Sequence, residues 1–255
     1  MFTTTAVQPP SSLHLSAMPS LQSTQVLAST RASFLSPLLG LGFHYTKLKT
    51  IAPYRTQKFA VRAARTESNG VPLGFRAPDF QLPEPLTGKI WGLQEFEPYP
   101  ALLVMFICNH CPFVIHLKKD IVKLSNYYMK KGLAVVAISS NSVVTHPQDG
   151  PEFIAEEAKV YGYPFPYLYD ESQDVARDFR AVCTPEFFLF KKVGRRPFEL
   201  VYHGQFDDSR PSNNVPITGR DLSMAIDSVL SGQPVTSAQK PSVGCSIKWH
   251  PDLKQ

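Results

Sequence analysis

The sequence has few cysteines and no long apolar run. Its 255 residues contain four cysteines, too few for a small secreted scaffold that depends on disulfides. The longest apolar run is Ala101–Cys108, which has the length of a strand and falls far short of the ~18 residues that a membrane-spanning helix needs. We therefore predict neither a disulfide-stapled fold nor a membrane partner.

Acidic residues are absent before Glu67. Seven of the 26 Lys and Arg residues lie in residues 1–66, so the rest of the chain carries 19 basic residues against all 21 acidic ones. The net charge of +5 is therefore a property of the N-terminal segment. Because the remainder lacks a basic excess, we predict no nucleic-acid partner.

The N-terminal segment has the composition of a targeting sequence. Residues 1–40 contain eight Ser and five Thr, no acid and a single Arg, Arg31. This composition is typical of an organellar transit peptide, and the late first Arg favours a plastid over a mitochondrion. We predict a disordered transit peptide over residues 1–66 and a location in the chloroplast stroma. A disordered tail without a targeting role is the alternative.

The remaining chain predicts one α/β domain over residues 75–232 and a C-terminal tail over residues 233–255. The apolar runs Ala101–Ile107 and Leu133–Ile138 are typical of strands buried on both faces. Between them, Pro112–Lys131 has the apolar spacing of an amphipathic helix. Strands and helices continue to alternate and end in an antiparallel hairpin and a helix, so we expect a mixed central sheet with helices on both faces.

A C-x-x-C motif, Cys108-Asn109-His110-Cys111, lies between a predicted buried strand and the following helix. The N-terminus of a helix stabilises a thiolate, and the two-residue spacer lets the second sulfur attack a mixed disulfide formed by the first. Two alternatives remain, half of a zinc site and a structural pair of buried thiols. The next cysteines, Cys183 and Cys245, are far apart and unpaired, so we predict no metal and no organic cofactor.

A second motif, Cys183-Thr184-Pro185, precedes a strand that should lie antiparallel to Ala101–Ile107. Together with the strand order, the two motifs resemble the thioredoxin superfamily over Phe75–Leu230. Residues 106–112 and 244–249 resemble its peroxiredoxin-like branch, the alkyl hydroperoxide reductase/thiol-specific antioxidant family. The resemblance implies a three-layer thioredoxin-like fold in which Thr184 and a cis Pro185 form the substrate groove.

The resemblance is incomplete in ways that bear on the reaction. If the reactive cysteine of a peroxiredoxin is aligned with Cys111, Val104 and Cys108 stand where peroxiredoxins have a proline and a threonine. This departure weakens the case for peroxidase chemistry, because the missing threonine hydroxyl helps to hold the peroxide. The usual Trp of thioredoxins is replaced by Ile107, so the redox potential cannot be carried over.

We therefore predict a thiol–disulfide oxidoreductase in which Cys108 is the exposed, acidic attacking thiol and Cys111 resolves. Its substrate would be a disulfide-containing protein or a small thiol or peroxide, and its reductant a plastid thiol. Supporting roles are expected for His110, Cys183 and Arg210. The alternatives are a thiol peroxidase, with either motif cysteine attacking, and a non-catalytic redox sensor or binding module.

The expected topology brings further residues to the same edge of the sheet. The loop Asn141–Gly150, which contains His146, should neighbour Cys108, and the segment Gly204–Arg210 should flank the site. The position of Cys245 is left open. A mobile tail would let it form a disulfide with an active-site sulfur, whereas docking of the tail through Ile247 and Trp249 would hold it elsewhere.

Overall fold

A computed structural model of the chain describes residues 65–236 and 238–251. Apart from Arg65 and Thr66, the predicted transit peptide lies outside the described residues. The strands are β1 (Arg65–Glu67), β2 (Gln81–Pro83), β3 (Ile90–Gly92), β4 (Ala101–Phe106), β5 (Leu133–Ser139), β6 (Tyr167–Tyr169), β7 (Cys183–Thr184), β8 (Glu186–Lys191), β9 (Glu199–Gly204) and β10 (Val243–Ser246). The helices are α1 (Pro112–Met129), α2 (Pro151–Tyr161), α3 (Asp174–Asp178) and α4 (Arg220–Leu230).

The central sheet has five strands in the order β6-β5-β4-β8-β9. β4 pairs in parallel with β5 and antiparallel with β8, and β9 continues the antiparallel half. The parallel half needs a crossover, which α1 supplies, whereas β8 and β9 form a hairpin. The α/β class, the mixed sheet and the thioredoxin-like arrangement predicted from the sequence are confirmed.

Two apolar cores cover the two faces of this sheet. Alternate residues of β4 point to opposite faces: Leu103 and Met105 pack with α1, α2 and α4, whereas Val104 and Phe106 pack with α3 and the hairpin of β2 and β3. The whole of β4 is therefore buried, which explains its unbroken apolar sequence. Because β4 is packed on both faces, its end and the motif that follows it are held in a fixed position.

The helix α1 begins and faces the sheet for reasons that are visible in its sequence. Pro112 occupies the first helical turn, where its missing N–H leaves no bond unmade. Val114, Leu117, Ile121 and Leu124 follow at helical spacing and are buried against the sheet. The helix ends at Met129, two residues before the predicted end.

A second, three-stranded sheet has the order β1-β10-β7. The sequence predicted none of its strands, since each is short and lacks an alternating pattern. β1 lies before residue 75, and β10 lies in the segment predicted to be a tail. The packed unit therefore extends beyond both ends of the predicted domain of residues 75–232, because β10 bridges β1 and β7.

Within the described residues, no helix is both long and apolar enough to span a membrane.

Candidate active site

The C-x-x-C motif lies where β4 leads into α1. β4 ends at Phe106, and Cys111 is the N-cap residue of α1. The free N–H groups and the dipole of the first helical turn favour negative charge at this place, as thiolate chemistry requires. Cys108 is only 1% exposed and Cys111 is 0% exposed. The prediction that Cys108 is an exposed thiol is therefore wrong.

Thr184 contacts both sulfur atoms of the motif. The Thr184–Pro185 peptide bond is cis, as predicted. The hydroxyl of Thr184 lies 3.3 Å from Sγ of Cys108, and its carbonyl oxygen lies 3.1 Å from Sγ of Cys111. The structure thus brings four residues predicted for the site, Cys108, Cys111, Thr184 and Pro185, together at one place.

A third sulfur lies at the same place. β10 pairs antiparallel with β7, with Cys245 opposite Thr184, and Sγ of Cys245 lies 2.6 Å from Sγ of Cys111. Ile247 is buried, as expected for a docked tail, but this docking brings Cys245 to the motif instead of holding it elsewhere. All four cysteines of the chain are free and buried.

The pKa values of the two motif cysteines are shifted in opposite directions. Burial raises the pKa of Cys108 well above that of an ordinary thiol, and its hydrogen bond with Cys111 and the charge of Asp149 raise it further. The pKa of Cys111 is lowered, because hydrogen bonds from Cys108 and Cys245 stabilise its thiolate more than burial disfavours it. The direction of these shifts makes Cys111 the more acidic thiol of the pair, the reverse of the order predicted from the sequence.

A buried carboxylate that the sequence analysis did not single out completes the site. Asp149 is fully buried and accepts hydrogen bonds from the backbone N–H of Asn109 at 2.9 Å, the amide of Asn141 at 2.9 Å and Nδ1 of His110 at 2.5 Å. Burial disfavours its charge, but the hydrogen bonds from His110 and Asn141 outweigh burial and lower the pKa of Asp149. Asp149 is therefore a carboxylate that orients the imidazole of His110.

The loop before α2 lies beside the motif, as the topology predicted. The ring of His146 stacks on that of His110 with 4.7 Å between centroids. Burial and the charge of His110 lower the pKa of His146, so a neutral ring is favoured there. Asp149 belongs to this same predicted loop, but its burial and its bond with His110 are visible only in the structure.

The thiol, imidazole and carboxylate of Cys108, His110 and Asp149 have donor atoms within 4.8 Å of one another. These residue types can ligate a transition metal. Both oxygens of Asp149 already accept hydrogen bonds from the protein, and Cys108 favours its protonated form. The group thus fits a hydrogen-bonded acid–base cluster better than a metal site.

Cys183 lies behind the cis-proline edge. Burial and the charge of Glu186 raise the pKa of the Cys183 thiol. Glu186 accepts hydrogen bonds from the backbone N–H groups of Val182 and Cys183 and pairs with Nε2 of His203 at 2.7 Å. Both Glu186 and His203 are buried. This pair holds the segment that carries Thr184, and Cys183 is a buried core thiol.

The segment Gly204–Arg210 flanks Pro185, as predicted, and a shallow pocket separates it from the start of α1. The hydrogen bonds of the Arg210 guanidinium stay within this segment. It donates to the carbonyl oxygens of Asp207 and Ser209 at 2.6 and 2.7 Å and to the side chain of Gln205. Arg210 therefore stabilises its own loop.

The chain matches one protein family and is similar to two solved structures. Residues 73–195 match the model of the AhpC/TSA family. An uncharacterized conserved protein from Geobacillus kaustophilus is 48% identical, with a TM-score of 0.71, over 74% of this chain and 98% of its own. A hypothetical protein from Sinorhizobium meliloti 1021 is 50% identical, with a TM-score of 0.70, over 72% of this chain and 98% of its own. No curated protein matches the chain.

Proposed function

Because the chain belongs to the AhpC/TSA family, we propose that it is a thiol–disulfide oxidoreductase that cycles Cys108 and Cys111 between dithiol and disulfide. In the reductive direction, one sulfur attacks a substrate disulfide and releases the first substrate thiol. The second sulfur then attacks the mixed disulfide and releases the other. Two electrons and two protons pass to the substrate, and an external thiol restores the dithiol.

One observation carries this proposal. The two sulfurs of the motif lie where α1 begins, and both contact Thr184 of β7. The helix N-terminus and the hydrogen bonds to Cys111 stabilise a thiolate, and both sulfurs meet at the same residue, Thr184. Such a pair supplies a nucleophile and a resolving group without a cofactor. Asp149 and His110 add a group that can accept and return the proton of a departing thiol.

In this structure the active site is closed to a macromolecular substrate. β10 occupies the edge of β7, and both motif sulfurs are buried. A protein disulfide must therefore displace β10 to reach Cys111. A substrate protein, a small disulfide and a plastid thiol reductant are the partners that we propose.

The function is tested by turnover of a disulfide substrate with a thiol reductant, using single serine variants. We expect Cys108→Ser and Cys111→Ser each to lose most of the activity. The matched control, Cys183→Ser, should retain more than about a tenth of it, a barrier change under ~1.4 kcal/mol. Absence of turnover in the unaltered protein would contradict the proposed oxidoreductase activity. The remaining candidate would then be a redox sensor or binding module.

Trapping of a mixed disulfide identifies the attacking sulfur. Because the lower pKa belongs to Cys111, and because Cys245 contacts Cys111 and would otherwise resolve the adduct, we expect a protein with both Cys108→Ser and Cys245→Ser to trap a mixed disulfide with substrate on Cys111. Accumulation of the mixed disulfide in Cys111→Ser instead would assign the first attack to Cys108, the order that the sequence predicts. The trapped species is measured by mass spectrometry after acid quenching.

A thiol peroxidase is the second candidate, and the lowered pKa of Cys111 is the observation that favours it. The Cys111 thiolate would attack the O–O bond of a hydroperoxide, which yields an alcohol or water and a sulfenic acid on Cys111. A neighbouring thiol would then form a disulfide with Cys111 and release water. Peroxide consumption that requires Cys111 and exceeds disulfide turnover would favour this reaction over the first.

We also propose that residues 1–66 direct the chain to the chloroplast stroma. The support is the acid-free, hydroxyl-rich composition of this segment. A fluorescent reporter fused to residues 1–66 should enter plastids. A reporter in the cytosol or in mitochondria would contradict the proposal.

A further inference from the structure

We propose that Cys245 is a third redox-active thiol, which exchanges with the Cys108–Cys111 disulfide to form a Cys111–Cys245 disulfide. This inference rests on the proposed function for the formation of the first disulfide. It adds a second oxidised state in which β10 is joined covalently to the active site and Cys108 is free.

The sulfur contact has the geometry that exchange requires. Sγ of Cys245 lies 2.6 Å from Sγ of Cys111, inside the separation of two sulfur atoms that merely pack against each other. Sγ of Cys111 also contacts the carbonyl oxygen of Thr184, and Sγ of Cys108 contacts the hydroxyl of the same residue. Cys111 therefore has two candidate partners, one in its own motif and one in β10.

Cys245 is held at this place by contacts on both sides of β10. Arg65 of β1 is its partner on one edge and Thr184 of β7 on the other. Before it, the hydroxyl of Ser242 donates to the carbonyl oxygen of Gly204 at 2.6 Å. After it, the backbone N–H of Lys248 donates to the side-chain oxygen of Asn141 at 2.8 Å. The contact with Cys111 thus belongs to a fixed strand.

The residue before Cys245 is Gly244, and its lack of a side chain permits the close contact between β10 and Thr184. A Cβ atom at Gly244 would lie 2.0 Å from the carbonyl oxygen of Thr184 and 2.5 Å from its carbonyl carbon. Because backbone atoms cannot move aside cheaply, any residue other than glycine would keep β10 away from β7. Glycine at this position lets Cys245 come within reach of Cys111.

The exchange balances without an external oxidant. The pKa of Cys245 is raised, first by its hydrogen bond with Cys111 and then by burial, so Cys245 gives up its proton only as its sulfur attacks Sγ of Cys111. The Cys108–Cys111 bond breaks and the Cys111–Cys245 bond forms. Cys108 leaves as a thiolate and takes up a proton, while Cys245 has lost one, so the number of electrons and protons in the protein is unchanged. His110 and Asp149 each have a donor atom within 4.8 Å of the Cys108 sulfur, and we assign to this pair the delivery of the proton to the leaving sulfur.

The proposal is tested by mapping disulfides after oxidation with glutathione disulfide. Samples are quenched in acid, alkylated under denaturing conditions, digested and analysed by mass spectrometry. We expect the unaltered protein to contain both the Cys108–Cys111 and the Cys111–Cys245 disulfides, and Cys183→Ser to give the same pair. In Cys108→Ser, Cys245 should displace glutathione from Cys111, since a contacting thiol greatly exceeds ~1 mM glutathione in effective concentration.

In Cys108→Ser we expect the Cys111–Cys245 disulfide to exceed the glutathione adduct of Cys111 by at least ~10-fold. A stable adduct on Cys111 with Cys245 fully alkylated would overturn the inference. If Cys108→Ser fails to fold, disulfide mapping of the unaltered protein tests the inference by itself, and absence of the Cys111–Cys245 disulfide there would overturn it. Substrate turnover with Cys245 never oxidised would refute this inference and leave the proposed function standing. A Cys111–Cys245 disulfide without turnover would refute the function alone.

Discussion

Replacing Gly244 with alanine tests whether the approach of β10 to β7 controls the chemistry of Cys245. The added Cβ would lie 2.0 Å from the carbonyl oxygen of Thr184, whereas real Cβ atoms essentially never come within 3.0 Å of such an atom. β10 must therefore move by about 1 Å or more. Overpacking of this kind destabilises a fold by ~1–3 kcal/mol, so we expect a folded protein with a displaced strand.

The displacement has a calculable effect on the sulfur contact. A shift of about 1 Å away from Cys111 lengthens the 2.6 Å separation of the Cys111 and Cys245 sulfurs to about 3.6 Å, which is outside the ~3–3.5 Å at which reacting atoms are held. A misplacement of this size lowers the rate of an intramolecular reaction by ~100-fold, equivalent to ~2.7 kcal/mol in the barrier. In a Cys108→Ser background, the Cys111–Cys245 disulfide should therefore form ~100-fold more slowly with Gly244→Ala than without it.

The assay is the time course of that disulfide after addition of glutathione disulfide, followed by quenching and mass analysis. Gly70→Ala is the matched control, because a Cβ at Gly70 meets nothing within 4 Å and the position lies close to β1. We expect the control to react at the original rate. An unchanged rate in Gly244→Ala, in a protein that keeps its cooperative unfolding transition, would refute the argument that glycine admits β10 to the site.

Three further predictions concern buried polar and thiol groups around the motif. Glu186→Gln should lower the free energy of unfolding by ~1–3 kcal/mol in chemical denaturation, because it weakens the buried pair with His203; a loss below ~0.5 kcal/mol would contradict this role. The pKa of Asp149 is depressed, so its contribution to stability is present above its unfolded pKa of ~3.9 and is lost as the pH falls through the folded pKa. The stability difference between the unaltered protein and Asp149→Asn should accordingly be constant above about pH 5 and shrink below about pH 4, and a difference that does not depend on pH would contradict it. Cys183, whose pKa is raised by burial and by Glu186, should resist iodoacetamide at pH 8 until the protein unfolds; rapid labelling in the native state would show that it is accessible.

Much of the fold and half of the site could be predicted from local sequence patterns. The apolar runs of β4 and β5 and the helical spacing of α1 report burial directly, because a strand covered on both faces has no polar position. The C-x-x-C motif is a local signal at the end of a strand, whereas the cis Pro185 opposite it was predicted from the resemblance to the thioredoxin superfamily. Short strands such as β7 and β10 have no such pattern and could not be predicted.

The acidity of the thiols could not be predicted, since it depends on contacts between distant parts of the chain. Position before a helix favoured Cys108 as the thiolate. Burial of Cys108 and the hydrogen bond from Cys245 reverse that order, and neither is visible in a motif of four residues. Asp149 was missed for the same reason, because its partners His110 and Asn141 meet it only in the folded protein.

The sequence by itself determined the α/β alternation and the helix that begins at the motif, because both follow from burial or backbone geometry within a few residues. The cis-proline edge beside the motif was predicted from the resemblance to the thioredoxin superfamily. Only the tertiary structure decided that β10 lies against β7 and that Cys245 meets Cys111. The physical reason is that a close approach of backbones, permitted by Gly244 and fixed by Asn141 and Ser242, depends on residues far apart in the chain.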